Sequence, residues 1–134
     1  MTTTPPASRA RLTGGLLLWY GVLGGALAWA AHLLVAWPLD ELTCAAGSER
    51  VAAVPLRQAV GLAVVIPALV TVGSLLVAAL VWRRTARSQS TGTEDRAYGR
   101  SRMLAVVGVW ANLLFLAIIL LGGVALLVLP PCQR

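Results

Sequence analysis

The chain has 134 residues, of which 58% are hydrophobic and 12% charged, and its formal net charge is +6. A chain of this length holds one domain, and a water-soluble domain this small cannot hide so much apolar surface. All eleven basic residues are arginines that flank apolar stretches, so the positive charge points to a membrane and away from nucleic acid as a partner.

Three apolar stretches, at residues 12–37, 54–82 and 103–129, account for most of the chain. Each exceeds the ~20 residues that a helix needs to cross the ~30 Å apolar core of a bilayer. They predict an all-α integral membrane fold with three transmembrane helices, forming a single membrane domain over residues 1–134. A cleaved signal peptide is an alternative for the first stretch, but such segments have only roughly 7–15 apolar residues.

The segments around these stretches set the predicted topology. Residues 1–10 are rich in Thr, Pro and Ser and are expected to be a disordered tail. Residues 1–11 and the loop at residues 83–102 carry eight arginines, whereas the other side of the predicted membrane has three, Arg50, Arg134 and Arg57 at the edge of the second stretch. Short arginine-rich loops stay in the cytoplasm. We therefore expect the N-terminus inside, an arginine-rich cytoplasmic loop at 83–102, an outer loop at 38–53 and the C-terminus outside.

The first predicted helix carries a stripe of small residues that ends in a histidine. Gly21, Gly25, Ala28 and His32 share one face at i, i+4, i+7 and i+11. The two glycines form a GxxxG pair, which lets helix backbones approach closely. His32 continues the stripe and should face protein. It is either a neutral packing residue or, as an ionisable group within a membrane, a functional one.

The second and third helices offer polar partners at matching depths. Gln58 lies at a depth similar to His32, so a hydrogen bond between the two is predicted. Asn112 lies about 12–14 Å in from the cytoplasmic end. Thr71 and Ser74 fall at that depth, and one of them is expected to bond Asn112. Pro67 interrupts the second helix and should kink it.

Tryptophans occupy both the ends and the interiors of the apolar stretches. Trp37 and Trp82 lie at stretch ends, where amphipathic rings favour the membrane–water interface. Trp29 and Trp110 lie within stretches and are expected to pack between helices.

Cys44 and Cys132 are the two cysteines of the chain, and the predicted topology puts both just outside the bilayer. In an oxidising compartment two such thiols normally pair, so a disulfide is predicted. A copper or haem-related site made by the two cysteines and His32 is the sharper alternative, since thiolates suit copper(I). Neither a CxxC motif nor a second histidine supports it.

No catalytic set is recognisable in the sequence. There is one histidine, no carboxylate within an apolar stretch, no phosphate-binding loop and no zinc signature. We expect neither an enzyme nor a resident metal or cofactor.

The pattern Ala28-Trp29-Ala30-Ala31-His32-Leu33-Leu34, with Cys44 soon after it and Pro130-Pro131-Cys132 at the end, resembles small uncharacterised membrane proteins encoded beside bacterial haem–copper (cytochrome c) oxidase subunits. The resemblance implies a multi-pass protein of the bacterial inner (plasma) membrane with an accessory or assembly role in the respiratory chain. Its partners would be the lipid bilayer and other membrane subunits or a second copy of itself. The alternative function is an outer-face redox or copper-handling protein that uses Cys44, Cys132 and His32.

Overall fold

The computed structural model describes residues 6–47, 50–51, 53–89 and 96–128. Three long helices dominate the described chain: α1 (Pro6–Ala46), α2 (Leu56–Gln89) and α3 (Arg96–Val128). A two-stranded antiparallel hairpin, β1 (Arg50–Val51) and β2 (Val54–Pro55), joins α1 to α2 and pairs Val51 with Val54.

Helix α1 is longer than the predicted transmembrane segment at residues 12–37. It begins at Pro6, within the tail expected to be disordered, and continues through Pro38 to Ala46. The predicted outer loop therefore starts as helix. Gly47 ends α1 with φ 61°, and its N–H donates to the carbonyl of Cys44 at 3.3 Å. Glycine adopts this left-handed conformation without steric cost, which makes it a common residue just past a helix.

The arginine-rich segment at residues 83–102 is also partly helical. Helix α2 continues to Gln89 and α3 starts at Arg96, so most of the arginines extend the two helices beyond their apolar parts. Residues 90–95 lie outside the described chain.

All three helices are long and apolar enough to cross a membrane. The candidate spans are Thr13–Ala46, Leu56–Arg87 and Gly99–Ala125. This composition and length agree with the predicted fold class of three membrane-length helices.

Each helix packs against the other two. Gly21 and Gly25 contact Gly108 and Asn112 in the same order, whereas Gly21 and Gly24 contact Ala78 and Ser74 in reverse order, so the helices run up, down and up. Many large apolar side chains point outward, among them Leu16, Leu34 and Trp110, which are 71%, 76% and 70% exposed, whereas Ile119 is fully buried. The interior holds small and polar residues, of which Ala105, Thr71, Ser74 and Asn112 have no exposed surface. This arrangement suits a bundle whose surroundings are apolar and whose helices associate through small residues and hydrogen bonds.

Of the two tryptophans expected to pack between helices, Trp29 does so and Trp110 does not. Trp29 is half-buried and packs on Phe115, with ring centroids 5.6 Å apart and planes inclined at 37°. Trp110, expected to pack between helices, points outward instead. Its face of α3 is opposite that of Asn112, two residues along, because adjacent positions on a helix are about 100° apart.

Candidate functional site

A cluster of polar and small residues joins the three helices midway along the bundle. We call it the polar centre, and it consists of Gly21 and Gly25 on α1, Ser74 on α2, and Gly108 and Asn112 on α3. All five residues are buried. Asn112 is also the middle residue of the candidate span Gly99–Ala125, so the polar centre lies as far as possible from both ends of α3.

The carboxamide of Asn112 bridges two backbone groups of α1. Its Oδ1 accepts from the Gly25 N–H at 2.8 Å, and its Nδ2 donates to the Gly21 carbonyl at 2.6 Å. Nδ2 also donates to the Gly108 carbonyl of its own helix at 2.6 Å. Gly21 and Gly25 are the i and i+4 partners of an α-helical hydrogen bond. The side-chain amide therefore binds the same donor and acceptor that one turn of α1 uses internally.

Ser74 adds the second helix to the polar centre. Its Oγ donates to the Tyr20 carbonyl at 2.7 Å, with a longer contact of 3.4 Å to the Gly21 carbonyl. Tyr20 returns a bond to α2, since its hydroxyl donates to the Val70 carbonyl at 3.1 Å. The carbonyl of Gly21 is thus approached by side chains from both α2 and α3.

The glycines of the polar centre permit this approach because they have no Cβ. A Cβ built on Gly108 would lie 2.8 Å from the Gly21 carbonyl oxygen, and one on Gly24 would lie 2.6 Å from Ser74 Oγ. A Cβ on Gly25 would overlap Asn112 Oδ1. At Gly108 the added side chain would meet backbone and push α1 and α3 apart. At Gly24 and Gly25 it would displace the side chains of Ser74 and Asn112 and disturb their hydrogen bonds.

His32 makes a second interhelical bond, nearer the end of the bundle that carries Cys44. Its ring is 6% exposed, and Nδ1 lies 2.8 Å from the Ala63 carbonyl of α2. In a regular helix that carbonyl would accept the N–H of residue 67, but residue 67 is a proline and has none. His32 therefore supplies the donor that Pro67 lacks. Because a carbonyl oxygen only accepts, Nδ1 carries the proton.

Two predicted side-chain pairs are replaced by bonds to the backbone. The expected partner of His32 was Gln58, but Gln58 is exposed and His32 bonds the Ala63 carbonyl. The expected partners of Asn112 were Thr71 and Ser74. Thr71 Oγ1 donates to the Pro67 carbonyl of its own helix at 2.8 Å. The predicted depth was correct for Asn112 and Ser74, which both reach the Gly21 carbonyl. It was wrong for Gln58, which is five residues, or about 7–8 Å along the helix, from Ala63. In both cases the acceptor is a backbone carbonyl and not another side chain.

Sequence reasoning overlooked three participants. Gly24 lies beside the GxxxG pair and packs against Ser74. Tyr20 donates a hydrogen bond from its hydroxyl to Val70 of α2 and accepts one at its carbonyl from Ser74 of α2. The Ala63 carbonyl could have been found from the sequence, because every proline within a helix leaves the carbonyl four residues before it without a backbone donor.

The structure separates the residues of the alternative metal site. His32 and Cys44 lie on the same helix, twelve positions apart, which is ~18 Å along the axis. Two protein ligands of one copper or zinc ion each lie within about 2.3 Å of it, so these two side chains cannot share one ion. No group of three or more His, Cys, Asp or Glu residues is close enough to hold a metal within the described chain. Cys132 lies outside the described residues.

The polar groups of the bundle interior are paired. Over the described residues, no buried side-chain nitrogen or oxygen lacks a hydrogen-bond partner. His32 Nε2 lies near Gly122 of α3, since a Cβ built on that glycine would be 3.8 Å from it. These paired polar groups are suited to holding the three helices in fixed positions relative to one another.

Comparison with protein-family models, with curated proteins and with solved structures finds no match to this chain.

Proposed function

We propose that this chain is a non-enzymatic accessory or assembly subunit of a membrane complex, and that the complex is a bacterial respiratory oxidase. The pairing of Asn112, Ser74 and His32 with backbone carbonyls is the observation that carries the first part. These polar groups hold the helices in register, which leaves the outward surface for contact with partners. The oxidase itself is proposed from the resemblance of the first helix and the C-terminal Pro-Pro-Cys motif.

Affinity purification from a mild detergent tests the proposed association. An affinity tag on the chain should recover oxidase subunits in a fixed ratio, and deletion of the gene should lower the amount of assembled oxidase measured by haem absorbance. An unrelated three-helix membrane protein with the same tag is the control. Unchanged oxidase assembly in the deletion strain, together with no oxidase subunit in the purified sample, would rule the proposal out.

We also propose that the N-terminus is inside, that the C-terminus is outside, and that Cys44 pairs with Cys132. Cys44 lies in the last turn of α1, and Cys132 lies outside the described residues. His32 and Gly122 mark a common level of α1 and α3. From that level α1 rises about 18 Å to Cys44 and α3 about 9 Å to its end at Val128. The remaining ~9 Å is within reach of the four residues that lead to Cys132, since an extended chain spans up to ~3.5 Å per residue.

Thiol labelling in intact cells tests this topology and the pairing together. A membrane-impermeant maleimide should modify both cysteines only after reduction. Labelling of Cys44 without reduction would reject the disulfide, whereas labelling that requires lysis of reduced cells would reverse the topology.

A further inference from the structure

Positively charged side chains cluster on α2 and α3 at the end of the bundle opposite Cys44. We call it the arginine end: the last turns of α2 and the first turns of α3. It carries five arginines with exposed side chains, Arg83, Arg84, Arg87, Arg100 and Arg102. Residues 83–102 hold six arginines and two acids in sequence, so this part of the chain remains positive even when Glu94 and Asp95, which lie outside the described residues, are counted.

The helix register brings these arginines into one layer. Gly108 of α3 packs against Ala78 of α2, and a Cβ on Gly108 would lie 3.4 Å from the Ala78 Cβ. The two helices are antiparallel, so Arg83 lies about 7–8 Å and Arg100 about 12 Å beyond this contact on the same side. Their axial separation is therefore only about 4–5 Å, less than one helical turn.

The same layer has open space and an apolar border. A Cβ built on Gly14 or Gly15 of α1, or on Gly99 of α3, would meet no atom within 4 Å. Gly21 contacts both Ala78 and Gly108, so Gly14 and Gly15, about 9–10 Å before it along α1, reach the level of the arginines.

The apolar border comes from residues next to the arginines. Trp82 precedes Arg83 and is 40% exposed, while Met103 follows Arg102 and is 71% exposed. A layer of guanidinium groups directly beside exposed apolar side chains matches a molecule with an anionic head and an apolar tail.

We propose that the arginine end binds the phosphate of an anionic phospholipid, with Arg83 and Arg100 as its principal ligands. Guanidinium groups bind phosphate oxygens through paired N–H donors. The glycines Gly14 and Gly15 leave room for the headgroup beside α1, and Trp82 and Met103 border the acyl chains. An acidic peptide or a nucleic acid would match the charge but not this apolar border. The proposal is independent of the oxidase assignment.

Thermal unfolding of the purified full-length chain in a nonionic detergent tests the site. The probe is phosphatidylglycerol, and phosphatidylcholine is the zwitterionic comparison. Phosphatidylglycerol should raise the unfolding temperature in a saturable way, with an apparent affinity at least fivefold higher than that of phosphatidylcholine. The double variant Arg83→Gln/Arg100→Gln should lose most of that preference.

Arg57→Gln is the matched control, because Arg57 is an exposed arginine at the other end of α2. It should keep the full preference for phosphatidylglycerol. Three results would overturn the proposal: equal stabilisation by both lipids, a loss in Arg57→Gln as large as in the double variant, or equal stabilisation by inorganic phosphate, which would indicate a site for small anions.

Native mass spectrometry provides a readout that does not depend on stability. From an equimolar mixture of the two lipids, the wild-type chain should retain phosphatidylglycerol preferentially. The double variant should retain the two lipids equally, and an unchanged preference in that variant would contradict the assignment of Arg83 and Arg100.

Discussion

At the residue scale, Asn112 makes two short interhelical hydrogen bonds to the backbone of α1 and a third bond within its own helix. Both of its N–H donors and its oxygen are used, on Gly21, Gly108 and Gly25. Bonds of this kind contribute modestly within membranes, about 0.6 kcal/mol on average and up to ~1.7. Three bonds on one side chain with no exposed surface nevertheless make it the largest single contributor we expect.

Replacement of Asn112 by alanine should therefore lower the free energy of unfolding by about 1–3 kcal/mol, from lost hydrogen bonds and an unfilled volume. Reversible unfolding in mixed micelles measures this change. Leu113→Ala is the control, because Leu113 is the next residue on α3 and is 41% exposed. A cost for Leu113→Ala equal to that for Asn112→Ala would contradict the role of the polar centre.

The bond from His32 to the Ala63 carbonyl predicts an interaction between two mutations. His32→Phe removes the donor and leaves that carbonyl without a partner, which should cost about 1–3 kcal/mol. Pro67→Ala restores a backbone N–H four residues after Ala63. The cost of His32→Phe should accordingly be smaller, by about 0.5–2 kcal/mol, in the Pro67→Ala background.

The measurement is a double-mutant cycle over wild type, the two single variants and the double variant. Additive costs would show that Ala63 does not depend on His32 for its hydrogen bond. A cycle with Thr85→Ala in place of Pro67→Ala is the control, since Thr85 bonds carbonyls of its own helix at the other end of α2.

At the element scale, the helices approach closely where glycine meets backbone. Gly108→Ala should destabilise the bundle by about 1–3 kcal/mol, because its new Cβ would lie 2.8 Å from the Gly21 carbonyl oxygen and no side-chain rotation relieves that contact. Gly61→Ala is the matched control on α2, where the Cβ meets nothing within 4 Å. It should be neutral or stabilising by up to ~1 kcal/mol through helix propensity.

Unfolding in mixed micelles compares the two alanine variants directly. If Gly61→Ala cost as much as Gly108→Ala, the effect would come from glycine in helices generally and not from the packing of α1 against α3.

The element boundaries show what sequence patterns can and cannot predict. Hydropathy predicted the three helices but not where they end. Helix α1 continues through Pro38, and α2 and α3 remain helical in the polar segments beyond their apolar parts. A proline or an arginine directly after an apolar stretch is compatible with continued helix when the next turn can still form its bonds. Capping by Gly47, and not the end of hydropathy, terminates α1.

The partners of buried polar groups were harder to predict than their depth. The spacing of Gly21, Gly25 and His32 predicts the buried face of α1, and depth matching brings Ser74 and Asn112 to one level. The atoms that accept their hydrogen bonds are backbone carbonyls, which carry no residue label in a sequence. Among the acceptors described, the Ala63 carbonyl is the one that the sequence marks, through Pro67 four residues later.

At the scale of the whole molecule, the register of the helices predicts where the apolar core of a membrane lies. A ~30 Å layer centred on Asn112 covers about ten residues on either side. The contacts of Gly25 and Ala78 transfer these limits to α1 and α2, giving approximately residues 15–35, 64–84 and 102–122. Arg57 and Arg87 fall outside this layer and Cys44 lies well beyond it, while Arg83 and Arg102 stand at its edge.

Cysteine accessibility tests this placement. In a background with both native cysteines changed to serine, Leu42→Cys should react with a hydrophilic maleimide at least tenfold faster than Leu27→Cys in lipid vesicles. Both positions are 68% exposed in the bundle, so a difference in rate reports the membrane and not the protein. Equal rates would mean that the membrane is not centred on Asn112.

The bridge that Asn112 makes to α1 also orders the events of folding. Its carboxamide recognises the N–H of Gly25 and the carbonyl of Gly21 together, and these two groups stand one turn apart only after α1 has become helical. A slip of one residue would turn them by about 100° away from α3. The two hydrogen bonds from Asn112 to α1 therefore form after α1 has become helical, and only when the turn from Gly21 to Gly25 faces α3.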